Sequence, residues 1–180
     1  MPRRLFSLAL LLCAACASSG SPRTTTGTGS AATASGIPLA SLRDVDWPAR
    51  SYPGLDLSVD DELSAPRYGD IDGDGREEAV IEGMAIIPDG NSYVTYVYVF
   101  ALPDGASEPT LLGALVGGDR ADGSLRVTGL DAQGLHLARA ILGPDDAMCC
   151  PSSEQHETWT WDGAELVEDA SQRRVEPTDN

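Results

Sequence analysis

The chain has 180 residues, of which 28 are acidic and 12 are basic, and its net charge at pH 7 is −16. This balance argues against a nucleic-acid-binding protein, which needs a basic patch to neutralise phosphates, and against electrostatic docking onto anionic lipid. The length and the 42% hydrophobic fraction suit one folded domain.

Residues 1–15 have the pattern of a lipoprotein signal peptide. Arg3 and Arg4 form a charged region, and residues 5–12 are an apolar run too short to span a bilayer. The following Ala14-Ala15-Cys16 resembles a bacterial lipobox, in which the cysteine becomes the first mature residue and carries the lipid. The resemblance implies lipidation of Cys16 and a membrane anchor. The alternative is ordinary cleavage nearby, which would give a soluble secreted protein.

Residues 16–37 comprise the lipidated cysteine and a stretch made almost entirely of Ser, Thr, Gly and Ala. Such a composition cannot bury a core, so it predicts a disordered linker between the anchor and a folded domain. Ala17 resembles the residue that directs such lipoproteins to the outer membrane. The N-terminal segments together predict an exported protein that Cys16 tethers to the cell envelope, at the outer membrane.

Residues 38–171 are predicted to form an all-β domain. Asp-Gly turn signals recur about every 8–12 residues between β-rich runs, and no apolar stripe of helical period is long enough to force a helix. This pattern favours a single antiparallel meander that forms a sandwich or a partly closed barrel. The predicted strands are 78–87, 93–102, 111–116, 125–130, 135–142, 157–161 and 165–167.

Finer predictions concern three segments of this domain and the tail that follows it. Both alternating faces of 93–100 are apolar or aromatic, so this strand is expected to be central and covered on both sides. Residues 60–65 are predicted as one short helical turn, and the polar tail 172–180 as frayed. Three apolar residues of the N-terminal part are expected to pack that part onto the sheet, namely Trp47, Tyr52 and Leu55.

The strongest chemical signal is an acidic loop, Asp70-Ile71-Asp72-Gly73-Asp74-Gly75-Arg76-Glu77-Glu78. Carboxylates occupy its positions 1, 3, 5 and 9, namely Asp70, Asp72, Asp74 and Glu78. Ca²⁺ prefers six to eight oxygen ligands, and alternate residues of a tight loop can turn their oxygens inward. The loop therefore predicts a structural calcium site, to which the carbonyl of Arg76 can add a ligand.

The loop is not an EF-hand, because Ile81 occupies the twelfth position, where an EF-hand has a bidentate glutamate. It resembles instead the Asp-x-Asp-x-Asp-Gly loops of integrin-type β-propeller repeats, which bind calcium between strands. That resemblance implies Glu78 as the ligand at the ninth position. The alternative is a solvated acidic turn without metal, since Asp-Gly is a common turn pair.

Cys149 and Cys150 are the cysteines left in an oxidising compartment once the signal is removed and Cys16 is lipidated. Adjacent Cα atoms lie only about 3.8 Å apart, below the usual disulfide range of about 4.4–6.8 Å, so a vicinal disulfide would be strained but feasible. Buried free thiols are one alternative. Another is a soft-metal or redox site, in which Met148 and His156 would help to hold Cu(I) or Zn²⁺.

No catalytic motif stands out in the sequence. His136 lies in a predicted strand, which is more often an ordinary surface or edge position than that of a catalytic base. The acidic pairs Asp60-Asp61 and Asp145-Asp146 could in principle serve a hydrolase, but adjacent carboxylates are usually solvated turns. No enzymatic activity is therefore predicted.

Two motifs, in this order, resemble a family of small secreted or lipid-anchored bacterial proteins. One is a Tyr-Gly-Asp-x-x-Gly-Asp-Gly-x-x-Glu-Ala-Val segment at 68–80, and the other is Cys-Cys-Pro-Ser at 149–152. The resemblance extends over about residues 42–168. It implies a single exported domain and no assigned reaction.

The sequence thus predicts a lipid-anchored envelope protein with a non-catalytic binding or structural β domain. Envelope proteins or polysaccharide are the predicted partners, because three tryptophans could offer aromatic platforms, namely Trp47, Trp159 and Trp161. The alternative places most of these rings in the core. A thiol redox or soft-metal-binding envelope protein that uses Cys149 and Cys150 is the second interpretation.

Overall fold

A computed structural model describes residues 39–57, 60–87, 92–119 and 123–178. The predicted signal peptide 1–15 and the whole of the predicted linker 16–37, with the predicted lipidation at Cys16, lie outside the described residues. In the described part, no helix is long and apolar enough to cross a membrane, and the helices are 3₁₀ helices at Leu42–Asp44, Trp47–Ala49 and Ala170–Gln172. The strands are β1 (Glu62–Leu63), β2 (Arg67–Gly69), β3 (Glu78–Ile86), β4 (Tyr93–Ala101), β5 (Thr110–Asp119), β6 (Leu125–Asp131), β7 (Gly134–Ile141), β8 (Ser153–Trp161), β9 (Leu166–Glu168) and β10 (Arg174–Pro177).

The strands form two antiparallel sheets of five strands each. The first has the order β1-β3-β4-β5, with β2 also paired to β3, and the second has the order β10-β8-β7-β6, with β9 also paired to β8. Neither sheet closes into a barrel. The prediction of an all-β fold is confirmed, and of its two forms the sandwich is the one that agrees with the structure.

A hydrophobic core joins the two sheets. Because side chains alternate along a strand, every second residue of the central strands points into this core. It is built by Ile71, Val80, Val97, Val99, Leu125, Val127, Leu135 and Leu137. Trp159 and Trp161 pack against it.

The N-terminal segment covers the opposite face of the first sheet. Trp47 and Tyr52 are 5% and 4% exposed, and their rings lie 5.1 Å from those of Phe100 and Tyr98, respectively. Leu55 packs against the same cluster. The predictions that β4 is covered on both sides and that this segment packs onto the sheet are therefore confirmed.

A buried polar network lies in the second sheet. Glu157 is 3% exposed and accepts hydrogen bonds from Arg139 Nε at 2.6 Å, Gln155 Nε2 at 2.8 Å and Trp159 Nε1 at 2.9 Å. Burial alone would raise the pKa of Glu157, but the bonds from Arg139, Trp159 and Gln155 together lower it. The carboxylate is therefore held ionised between the sheets.

Strand β6, at the edge of the second sheet, is tied to the first sheet by side chains. The N–H of Leu125 donates to Thr95 Oγ1 at 2.7 Å, and the N–H of Val127 donates to Glu82 Oε1 at 2.6 Å. Unpaired edge N–H groups attract other strands. These two bonds therefore join the sheets and occupy part of an edge at the same time.

Two local predictions are wrong. Residues 60–65 do not form a helical turn, because Glu62 and Leu63 pair with Met84 and Gly83 of β3 as strand β1. The segment 174–177 is not frayed, because it pairs with residues 153–156 as strand β10. The side chains of β10 are exposed, so backbone hydrogen bonds rather than apolar burial hold it, and its composition carries no strand signal.

Candidate metal centre

The acidic loop connects the antiparallel strands β2 and β3. Gly73 and Gly75 have φ values of +77° and +86°, in the left-handed region that glycine adopts without steric cost. The carboxylate of Asp70 spans the turn, since it accepts hydrogen bonds from the N–H of Gly73 at 2.7 Å and of Gly75 at 3.0 Å. These bonds give a defined shape to the turn of the β2–β3 hairpin.

Three of the predicted ligands converge in this loop. Asp70, Asp72 and Glu78 each offer a carboxylate oxygen, and these three oxygens lie within 4.8 Å of one another. Glu78, the first residue of β3, is 2% exposed, and one of its oxygens accepts a hydrogen bond from the N–H of Ile71 at 2.7 Å. We call these three residues the carboxylate triad.

The electrostatics of the carboxylate triad favour a bound cation. Burial raises the pKa of Glu78, and the neighbouring carboxylates of Asp72, Asp74 and Asp70 raise it further, against the hydrogen bond from Ile71. A cation between the three oxygens would remove this repulsion. Hard cations such as Ca²⁺ take carboxylate oxygens as ligands, and backbone carbonyls or water complete their shell.

Asp74 lies outside the triad. Its Oδ2 accepts hydrogen bonds from Arg76 Nε at 2.8 Å and Arg76 Nη2 at 2.5 Å, and this arginine also pairs with Asp104 at 2.8 Å. The bonds from Arg76 lower the pKa of Asp74. The prediction that Asp74 is a ligand is thus not supported by this arrangement, and the carbonyl ligand at Arg76 stays a prediction.

The second candidate, the cysteine pair, lies in the loop between β7 and β8. The structure joins Cys149 and Cys150 in a vicinal disulfide with a Cα–Cα distance of 3.8 Å. Both residues are exposed, so the alternative of buried thiols does not describe this loop.

His156 does not join the cysteines in a metal site. Its Nε2 faces Glu176 Oε2 at 3.4 Å, across the β8–β10 pair. Among the described residues, the carboxylate triad is the one group of three or more His, Cys, Asp and Glu side chains close enough to hold a metal ion. The predicted soft-metal arrangement is therefore not formed here.

One residue of each acidic pair accepts hydrogen bonds from backbone N–H groups. Asp61 accepts from the N–H of Asp56 at 2.7 Å and of Ile86 at 3.0 Å. Asp146 accepts from the N–H of Gly143 and of Ser152, both at 2.7 Å. One member of each pair, Asp61 or Asp146, therefore has a structural role as an acceptor of backbone hydrogen bonds.

A hydrogen-bonded chain around His136 was missed by the sequence reasoning. His136 Nε2 lies 3.0 Å from Asp131 Oδ1, and its Nδ1 lies 3.1 Å from Thr158 Oγ1. An acid, an imidazole and a hydroxyl in this order resemble a catalytic triad, in which the imidazole activates the hydroxyl as a nucleophile. Thr158 is only 4% exposed, however, so a substrate has no access to its hydroxyl. The pairing of β7 with β8 places Thr158 opposite His136. The two residues are far apart in sequence, so no motif in the sequence indicates this contact.

The three tryptophans pack in or against the protein interior. Trp47 is buried, and its Nε1 donates to the Tyr68 hydroxyl at 3.2 Å. Trp159 and Trp161 are partly buried against the core between the sheets. The alternative that places most of these rings in the core agrees with the structure better than exposed platforms do.

No protein-family model matches this chain, and neither a curated protein nor a solved structure matches it. The resemblance to small secreted or lipid-anchored bacterial proteins therefore stays a prediction. The same holds for the likeness of the acidic loop to integrin-type repeats.

Proposed function

We propose that this protein is a lipid-anchored component of the bacterial cell envelope, whose non-catalytic β-sandwich binds or supports another envelope component. Its acidic loop holds a structural calcium ion. The carboxylate triad carries this proposal, because it gathers three oxygens around one point at the turn between β2 and β3. The Cys16 anchor and the outer-membrane location rest on the N-terminal sequence pattern.

Calcium would act on the hairpin rather than on a substrate. Asp70 and Asp72 belong to the exposed turn, whereas Glu78 begins strand β3. In this strand Val80 packs in the core between the sheets, and Ala79 packs in the cluster under the N-terminal segment. An ion shared by all three would fix the turn onto the sandwich. The expected effect of calcium is therefore greater stability and not the appearance of an activity.

Calorimetric titration with Ca²⁺ and thermal unfolding test this proposal. We expect one binding event at millimolar calcium and a higher melting temperature, since an ion present at about ten times its Kd adds about 1.4 kcal/mol of stability. The gain should shrink on acidification, because the raised pKa of Glu78 means that this ligand takes up a proton before an ordinary glutamate would. The absence of both heat and stabilisation at millimolar calcium would remove the proposal.

Two matched variants separate the triad from the rest of the loop. Asp72→Asn removes one charge and keeps an oxygen that can accept from the N–H of Asp74, now bonded at 3.0 Å, so it should weaken calcium binding without unfolding the turn. Asp74→Asn makes the same chemical change at the carboxylate that accepts hydrogen bonds from Arg76. This variant should keep most of the calcium response. Equal loss of binding in the two variants would contradict the three-residue assignment.

A further inference from the structure

The vicinal disulfide lies on an exposed loop, the segment 142–152 between β7 and β8. Cys149 and Cys150 are both exposed, and Met148 beside them is 79% exposed. A thiol on another molecule can therefore approach the pair from solvent. Exposed disulfides are the ones that exchange readily with thiols.

The ends of this loop are joined by hydrogen bonds that do not involve the cysteines, while inside it the N–H of Cys150 donates to the Ala147 carbonyl at 2.9 Å. Asp146 Oδ2 bridges the N–H groups of Gly143 and Ser152, near the two ends of the loop. Thr178 then ties the loop to the segment after β10, since its N–H donates to the Ser152 carbonyl at 2.9 Å and its hydroxyl donates to the Pro151 carbonyl at 2.8 Å. The position of the loop therefore depends on these contacts.

The disulfide itself constrains the unfolded chain very little. A disulfide stabilises mainly in proportion to the logarithm of the number of residues in the loop that it closes. Here the two cysteines are neighbours in sequence, so the closed loop has the smallest size available. Loop-closure entropy therefore gives this bond little stabilising role. A role in thiol chemistry remains to be considered.

We propose that Cys149 and Cys150 form a thiol-exchange site that accepts electrons from an exported dithiol protein. A thiolate of the partner attacks one cysteine sulfur, the Cys149–Cys150 bond breaks, and the released thiolate takes up a proton. The partner's second thiolate then attacks the mixed disulfide and frees the other cysteine. Two electrons and two protons pass to this protein, and the partner is left with the disulfide.

Exchange fits the loop better than a resident soft metal. The cysteines have no third His, Cys, Asp or Glu close enough to complete a metal group among the described residues. Exchange needs only the two sulfurs and access from solvent. The proposal makes no use of the carboxylate triad, so failure of the calcium experiments would leave it unaffected.

The test uses the full-length protein, isolated without reductant, and reduced thioredoxin as the dithiol probe. After incubation, free thiols are alkylated and the tryptic peptide 140–173, which contains both cysteines and lies between Arg139 and Arg174, is weighed. We expect no alkyl group without the probe and two alkyl groups with it, in native buffer. The melting temperature should change by less than about 4 °C on reduction, because hydrogen bonds hold the loop.

Cys150→Ser is the matched variant, because its single remaining thiol can be alkylated without any probe but cannot oxidise thioredoxin. Three results would overturn the proposal. They are two alkyl groups on the untreated protein, reduction that proceeds only after unfolding, and a large fall in melting temperature on reduction. The first would show that the Cys149–Cys150 disulfide is absent, and the second that thioredoxin cannot reach it in the folded protein. The third would show that the disulfide serves mainly to stabilise the fold.

Discussion

At the scale of single residues, two buried glutamates of this protein differ in their surroundings. Glu157 is buried and fully engaged by Arg139, Gln155 and Trp159. Glu78 is equally buried, but among the described residues its hydrogen bond comes from the N–H of Ile71, and its charged neighbours are acidic. The first carboxylate is therefore satisfied within the fold, whereas the second has a physical reason to attract a cation.

The Glu157 network gives the clearest stability prediction. Glu157→Gln should destabilise the protein by about 3 kcal/mol in urea unfolding, because it leaves the partly buried guanidinium of Arg139 without its counter-charge. The pKa of Glu157 lies below its usual value near 4.5 in the folded protein. Its stabilising contribution is thus present above that value, and it is lost as the pH falls through the folded pKa.

The control for this prediction is Arg126→Met, which removes the more exposed ion pair between Arg126 and Glu154 at 3.0 Å. We expect it to cost about 0.5 kcal/mol or less, since exposed pairs contribute little. If Glu157→Gln cost no more than this control at pH 7, the buried network would have no special role. A difference between the two variants that persisted at strongly acidic pH would also contradict the assignment.

At the scale of elements, the N-terminal segment is part of the folded domain and not an extension of the linker. Trp47 begins a 3₁₀ helix, and the indole packs at 5.1 Å from Phe100 on the outer face of the first sheet. Tyr52 fixes the same segment through its hydroxyl, which donates to the Trp47 carbonyl at 2.8 Å. A sheet that would otherwise expose one apolar face is covered in this way.

Trp47→Ala tests whether this cover contributes to the stability of the whole domain. Removing a buried tryptophan usually costs about 3–5 kcal/mol, and we expect that range in urea unfolding followed by circular dichroism. Val116→Ala, at a side chain that is 56% exposed, is the control and should change stability by about 0.5 kcal/mol or less. Equal effects of the two substitutions would mean that the segment does not stabilise the sandwich.

At the scale of the whole molecule, the proposed arrangement is an acidic sandwich held at a membrane by a lipid. The net charge of −16 gives no electrostatic attraction to anionic lipid. In the proposed arrangement, acyl chains on Cys16 supply the membrane association, and each buried CH₂ contributes about 0.8 kcal/mol. The anchor and the fold are therefore separable by a substitution outside the described residues.

Cys16→Ser should move most of the protein from the membrane fraction to the soluble fraction of cells that export it. Metabolic labelling with a fatty acid should lose its signal in the same variant. Cys149→Ser makes the same substitution in the exposed loop and should leave the protein in the membrane fraction. Retention of Cys16→Ser in the membrane, with its fatty-acid label, would place the anchor elsewhere.

Much of the fold could be predicted because it follows from local pattern. The alternation of apolar residues in 93–100 and the Asp-Gly turns specify strands and hairpins, and β4 agrees closely with its predicted bounds. The short strands β1, β2 and β10 were not predicted, since each depends on pairing with a longer strand. Their own side chains carry too little apolar pattern to announce them.

The candidate site divides in the same way. Spacing in the sequence was enough to single out the acidic loop and the adjacent cysteines, because turn chemistry and covalent geometry act over a few residues. The tertiary structure decided which carboxylates meet. Arg76 pairs with Asp74 and with Asp104, which is distant in sequence, and burial at the start of β3 sets Glu78 apart from its neighbours. Such contacts depend on how separate segments pack, and the order of residues along the chain does not reveal them.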